Sequence, residues 1–303
     1  MKNAVTAAIL QAIDKSFNAL FNKGKSRVVG YVKKLKFMVV QSNSAEEMYG
    51  WIKDIPALDK NAAELQISRL AADGQSVKNN EYTKGLAIKR SAIEDDQYNI
   101  FGPAMQLLGQ RGAQVSDFDF LDLLAGAFTT VKAYTGVSFF NTAHKIGKYT
   151  FSNKDTKKLS AANFQTGYAA LRDMQDGQGK PLFTLMDPSS VFLLVGPDYE
   201  ATADSIVKLA KLADGGDNPN FNKAQVEVIP GLGDAWMILD CGQVITPFIF
   251  QDRIPLTLTA ALGDLTPNVL LQEEFLWKAR ARSAMGPGDP RFAWGSTGAD
   301  PAA

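Results

Sequence analysis

The side chains that most often carry chemistry are nearly missing from this chain. Its 303 residues include one histidine, His144, and one cysteine, Cys241. A structural zinc site draws four ligands from closely spaced His, Cys and carboxylate residues. His144 and Cys241 stand far apart in sequence, so no zinc site is expected. A lone histidine can serve as a general base, but structural and surface histidines are the commoner case. Neither a Gly-x-Ser-x-Gly elbow nor a His-Glu-x-x-His run is present. Cys241 closes the apolar run Trp236–Cys241, the setting of a buried, inert thiol and not of a nucleophile. Glu94-Asp95-Asp96 groups three carboxylates as a divalent cation would need, although such residues beside a helix start also serve helix-end electrostatics. Glu273 and Glu274 near Lys278 fit an i,i+4 or i,i+5 surface pair.

Two segments resemble phosphate-binding turns without completing them. Gly24-Lys25-Ser26 matches the end of a phosphate loop, but the glycine needed five positions earlier is Ala19. It reads as a turn ending a helix. Val195-Gly196-Pro197-Asp198 lies between an expected strand and an expected helix. Pro197 removes a backbone donor that would hold phosphate, so this is a helix start. No catalytic, cofactor or metal residues are expected.

The elements around these residues fall into a mixed pattern. Hydrophobic residues are 46% and charged residues 21% of the chain, the composition of a globular protein. The formal net charge of zero hides an asymmetry: residues 1–36 carry eight basic residues and one acid, Asp14. Such a block marks either an arm that meets another surface or a solvated helix face. Val5, Ile9, Ile13, Phe17 and Leu20 predict an amphipathic helix over 4–21 that needs a partner for its apolar stripe. Tyr31–Gln41 is β-prone, and Ala62–Leu70 carries conflicting signals. Ser76–Lys89 reads as strand, and 48–90 as a polar extended hairpin without a core of its own. Pro103–Phe128 is the longest helical stretch, with Gly109 and Gly112 as bends and Ser116 as a restarting cap. Ser160 caps a helix through Met174. Val191–Val195 is a strand, Tyr199–Leu212 a helix, and Ala224–Ile229, Ala235–Leu239, Val244–Phe250 and Leu256–Ala261 are β runs leading to Gln272–Ala284. No apolar run reaches the ~18 residues of a membrane span. Met1–Leu20 lacks the apolar segment and cleavage site of a secretory signal.

Several stretches, in order, resemble the major head subunit of Mu-like bacteriophages. They are Tyr49–Pro56; Ile93–Asp96 followed by Ile100–Pro103; Gly136 with Phe139, Phe140, Asn141 and His144; Leu239–Cys241; Pro247–Arg253; and Glu274–Leu276 with Arg280 and Arg282. Asn141 and Lys145 stand where the family tends to carry an acidic residue and a proline, and 160–235 matches only in general pattern. The resemblance implies an α+β fold, the tailed-phage major capsid fold of the Hong Kong ninety-seven type. It implies an N-terminal arm (1–47), an extended loop (48–92), a peripheral domain with a spine helix (93–159), an axial domain (160–250) and a return to the peripheral domain (251–303). It further implies hexamers and pentamers forming an icosahedral head around double-stranded DNA, in a virion assembled in the host bacterial cytoplasm. Expected partners are other copies, a separate scaffold protein, a portal and a decoration protein, and no membrane. Trp51, Ile52, Lys89 and Arg90 are expected intersubunit contacts, with Trp51 packing inside its own subunit as the alternative. Lys23, Lys25, Arg27, Lys33 and Lys34 are expected to form a basic inner face toward DNA or an acidic scaffold.

Two other readings compete. One is a cytoplasmic α/β enzyme built on Val191–Leu212, which would need a cluster of polar residues in a pocket. The other is a DNA-binding protein acting through the basic arm, with steep salt dependence; its aromatics Phe17, Phe21 and Tyr31 make a poor stacking platform.

Overall fold

Thr6 opens the first helix, its hydroxyl accepting from the Ile9 amide at 3.4 Å. Helix α1 (Ala7–Lys25) buries Leu10, Phe17 and Phe21 along one stripe. The structure, a computed structural model, describes residues 6–49, 75–95, 98–182, 186–212 and 214–300. After α1 come a single turn α2 (Tyr31–Lys34) and strands β1 (Met38–Gln41), β2 (Glu46–Tyr49), β3 (Gln75–Lys78) and β4 (Asn80–Lys89). Helices α3 (Arg90–Glu94), α4 (Tyr98–Ala113) and α5 (Val115–Gly126) follow, then short strands β5 (His144–Ile146), β6 (Tyr149–Phe151) and β7 (Lys154–Asp155). Next are α6 (Ala161–Arg172), β8 (Val191–Val195), α7 (Glu200–Val207), β9 (Gln225–Val228) and β10 (Trp236–Asp240). The chain ends in β11 (Phe248–Ala261), α8 (Pro267–Gln272), β12 (Glu274–Pro287) and β13 (Ala293–Ser296).

Two sheets organise these elements. The first runs β1-β11-β12-β4, with β11 and β12 forming a long antiparallel hairpin. The second runs β7-β13-β10-β8-β9, with β10 central and β8 parallel to β9. Every residue of β8 and β10 is buried, which is why both segments read as unbroken apolar runs: a sheet covered on both faces has no polar side to alternate with. One face meets α5 through Phe120, Phe139, Phe140 and Phe248. The other meets α6 and α7 through Phe164, Val207, Trp236 and Trp294. A third core joins α1, α4 and the β12 sheet through Phe17, Phe21, Met105, Phe275 and Trp277.

The structure corrects several expectations. The arm helix is not detached. It crosses α4 so closely that a Cβ added at Gly24 would lie 1.9 Å from the Gln106 carbonyl oxygen, and one at Gly109 2.1 Å from that of Phe21. Asp14 also accepts from the Trp277 indole at 3.0 Å. Leu10, Phe17 and Phe21 of α1 are thus covered by their own chain, whereas Ile9 stays exposed and Ile13 and Leu20 are half-buried. Gly24-Lys25-Ser26 is the tail of this helix, and its glycine is there for the crossing. The expected 48–92 loop divides: β2 and β3 pair as the root of a hairpin, whereas β4 pairs with β12 along its length. Residues 80–89 therefore complete a sheet of their own subunit. The segments expected at Tyr49–Pro56 and Ala62–Leu70 lie wholly or largely outside the described residues.

The spine is two helices, broken at Gln114, and Pro103 sits inside α4 and not in its first turn. Val244–Phe250 and Leu256–Ala261 contribute to one strand with register shifts between Asp252 and Thr257, where Pro255 cannot donate to a ladder. Glu274–Lys278 is strand, where four residues span about 13 Å, so the expected i,i+4 pair cannot close. The second sheet draws β7 from before residue 160 and β13 from after residue 250.

Candidate assembly surfaces

Of the expected contact residues, Trp51 and Ile52 lie outside the described residues. Lys89 is exposed at the end of β4, in register with Glu274 on β12. Arg90 has a role within its own chain. Its amide donates to the Glu273 carbonyl at 2.8 Å, its guanidinium meets Asp264 at 2.7 Å, and it lies over the Phe275 ring at 5.2 Å. Arg90 therefore clamps the turn that joins β11 to β12.

That turn is the feature sequence reasoning missed. It carries α8, whose C-terminus is closed by Glu273 in the left-handed conformation (φ 52°). Val269 is buried as its anchor, while Leu265, Leu270 and Leu271 are 90%, 66% and 79% exposed. Three leucines in solvent on a clamped tip are an available apolar surface. Pro267-Asn268-Val269-Leu270-Leu271 was the available signal, but without the hairpin partner there was no means of seeing which leucines face out.

A second apolar surface lies between α1 and α4. It is a groove lined by Ile9, Ala12, Ile13, Leu20 and Pro103, among others. Lys23 lies one turn beyond Leu20 and is exposed. With the Gln106 amide turned to present its oxygen, Arg27 donates to it from Nε and Nη1 at 3.2 and 3.1 Å.

The five residues expected to form a basic face are not equivalent. Lys25 donates to the Leu256 carbonyl at 3.2 Å. Lys34 pairs with Glu227 at 2.7 Å, and that hydrogen bond raises its pKa. Lys23, Arg27 and Lys33 are exposed.

The hairpin root is fixed by polar contacts. Gln251 is fully buried on β11; it accepts from the Tyr49 hydroxyl at 2.7 Å and donates to the Val77 carbonyl at 3.3 Å. It thus holds both strands of the root to the first sheet. Burial and, second, the Glu47 charge push the Tyr49 hydroxyl up to about 12. Glu47 gathers the amides of Asn43 and Ser44 and the Ser42 hydroxyl, which hold its carboxyl down to about 2.

His144 and Cys241 are both buried. His144 Nδ1 lies 2.7 Å from the Thr135 hydroxyl, and Nε2 lies 3.2 Å from the Phe139 carbonyl and 3.1 Å from Asn153 Oδ1. A neutral ring with its proton on Nε2 fits these partners, with Thr135 donating to Nδ1. Burial lowers its pKa, and burial raises that of Cys241. Glu94 and Asp95 end α3, and Asp96 lies outside the described residues. No group of three or more potential metal ligands occurs among the described residues. Gly196 packs against Gly233, where an added Cβ would meet that carbonyl oxygen at 2.3 Å, so the glycine before the helix start after β8 serves this close backbone approach.

Comparison with known proteins places this architecture. A profile of the family described as Mu-like prophage major head subunit gpT matches residues 10–157, 146–232 and 220–300. The Mu-like prophage FluMu major head subunit of Haemophilus influenzae is 27% identical over 285 residues, 94% of this chain and 71% of that protein. The major capsid protein of Escherichia phage Mu is 24% identical over 284 residues, 94% of this chain and 72% of that protein. Among solved structures, the procapsid of bacteriophage JBD30 is similar with a TM-score of 0.60 and 21% identity, covering 99% of this chain and 77% of that one. The mature capsid of bacteriophage PhiM1 is similar with a TM-score of 0.53 and 11% identity, covering 89% and 87%. The mixed helix and sheet fold is that of phage capsid subunits. The enzyme reading finds no support, and the match runs through nearly the whole length described: this chain belongs to the Mu-like prophage major head subunit family, whose members are capsid proteins and not enzymes.

Proposed function

We propose that this chain builds the wall of an icosahedral phage head, associating with copies of itself into hexamers and pentamers around double-stranded DNA. The family match across residues 10–300 carries this reading. Trp51 and Ile52, in the sequence between β2 and β3, are contacts to neighbouring copies in it, since buried aromatics dominate interface energetics. Lys89 stands exposed at the edge of the same region. Arg90 acts indirectly, by holding the β11–β12 turn. Lys23, Arg27 and Lys33 present positive charge to DNA or to an acidic scaffold, with Lys25 and Lys34 contributing to the local field. A separate scaffold, a portal and a decoration protein complete the particle, which assembles in the host bacterial cytoplasm.

Electron microscopy of the expressed protein, alone and with its scaffold, tests this. Closed shells are the expected result. A strictly monomeric species under every assembly condition would overturn it.

A further inference from the structure

The exposed leucines at the β11–β12 turn and the open groove between α1 and α4 are two unsatisfied apolar surfaces of opposite shape. One is a convex tip and the other is concave. Their charges also differ in sign. Residues 262–274 contain Asp264, Glu273 and Glu274 and no basic residue, and Arg90 pairs with Asp264. The groove ends beside Lys23 and Arg27, and among residues 98–113 the one charged residue is Arg111.

We infer that the α8 tip of one copy docks, leucines first, into the α1–α4 groove of a second copy, with Glu273 and Glu274 meeting Lys23 and Arg27. This rests on the proposed self-assembly and adds to it where two copies meet. The tip is ready for docking before any partner arrives, because Arg90 and the buried Val269 already hold its backbone. A rigid element loses little freedom on association. The groove is ready too, since the glycine-mediated crossing of α1 on α4 fixes its walls. Because tip and groove are different patches, the contact is head-to-tail, the type that propagates around a ring or across a wall.

Two measurements test the inference. In the first, Leu271→Ser leaves the thermal midpoint of the free subunit unchanged, because this side chain is 79% exposed there. It lowers the yield of closed shells by about tenfold or more, the effect of losing one buried leucine. Wild-type yield would overturn the inference. In the second, chains carrying Leu271→Cys are co-assembled with chains carrying Ala12→Cys and treated with a short bis-maleimide; the buried Cys241 stays silent. Linked dimers are expected only when both chains are present. Dimers from Leu271→Cys alone would show tip meeting tip and overturn it, as would closed shells with no linked species. If the unaltered chain forms no shells at all, the assembly reading fails instead, so the two failures are distinct.

Discussion

His144 is held on every polar atom it has, and that makes it a gauge of the fold. Its lowered pKa means that, as pH falls, the unfolded chain takes up a proton on this residue before the folded one does. The stability it contributes is therefore whole above the ordinary value of 6.5 and declines as pH drops below it. His144→Gln should cost about 1–3 kcal/mol at pH 7.5, from the broken bonds to Thr135 and Asn153. The gap to wild type should narrow at pH 5.5. Urea unfolding of both proteins at both pH values measures this, and comparing the pair cancels the buried Asp240 and the half-buried Asp117, Asp119 and Asp252, whose raised pKa values act in the opposite sense. The structural character of His144 and Cys241 was legible from their isolation and their apolar neighbours. The role of Arg90 was not, because its partners Asp264 and Phe275 are more than 170 residues away and arrive through a sheet that local pattern does not reveal.

At the scale of elements, two glycines decide how α1 sits. In an exposed helix Gly→Ala stabilises by up to about 1 kcal/mol. Here Gly24→Ala or Gly109→Ala should instead destabilise by about 1–3 kcal/mol, as overpacking at a backbone crossing does. Chemical denaturation of the free subunit gives the sign directly. Gln251 offers a second test. Gln251→Leu removes the bonds to Tyr49 and Val77 together, so amide hydrogen exchange should quicken over 46–49 and 75–78 while β8 and β10 keep their protection. Equal exchange in both proteins would show that the root is held some other way. Elements with strong local signals were readable: Ser160 caps α6 through the Asn163 amide at 3.2 Å, and Val191–Val195 is the strand its composition announces. Misreadings came where pairing partners are distant. Pro255 was taken to separate two strands, yet β12 carries the ladder past it. The apolar stripe of α1 implied a partner without saying whose, and the same chain covers its Phe17 while leaving Ile9 exposed.

For the whole molecule, Trp51 and the basic residues between Lys23 and Lys34 carry the assembly predictions. Trp51→Ala should leave the unfolding midpoint of the free subunit unchanged and reduce shell yield; a loss of subunit stability of similar size would assign Trp51 to its own core. Neutralising Lys23, Lys25, Arg27, Lys33 and Lys34 together should impair assembly or packaging, and unchanged yields of filled heads would reject an inner-face role. Helix α1 packs Leu10, Phe17 and Phe21 against its own chain and leaves Ile9 exposed, so the family match, and not this helix, carries the capsid reading.

Strand β13 lies second from the edge of the five-stranded sheet, between β7 and β10, although more than fifty residues separate β10 (Trp236–Asp240) from β13 (Ala293–Ser296) in sequence. A ribosome that stalls before Ala293 leaves β10 with an open flank and Trp294 missing from its place against Gly167. Nascent chains should thus stay protease-sensitive in the β8–β10 region until synthesis passes Ser296. A chain that stops before Ser296 should therefore fail to close its own second sheet.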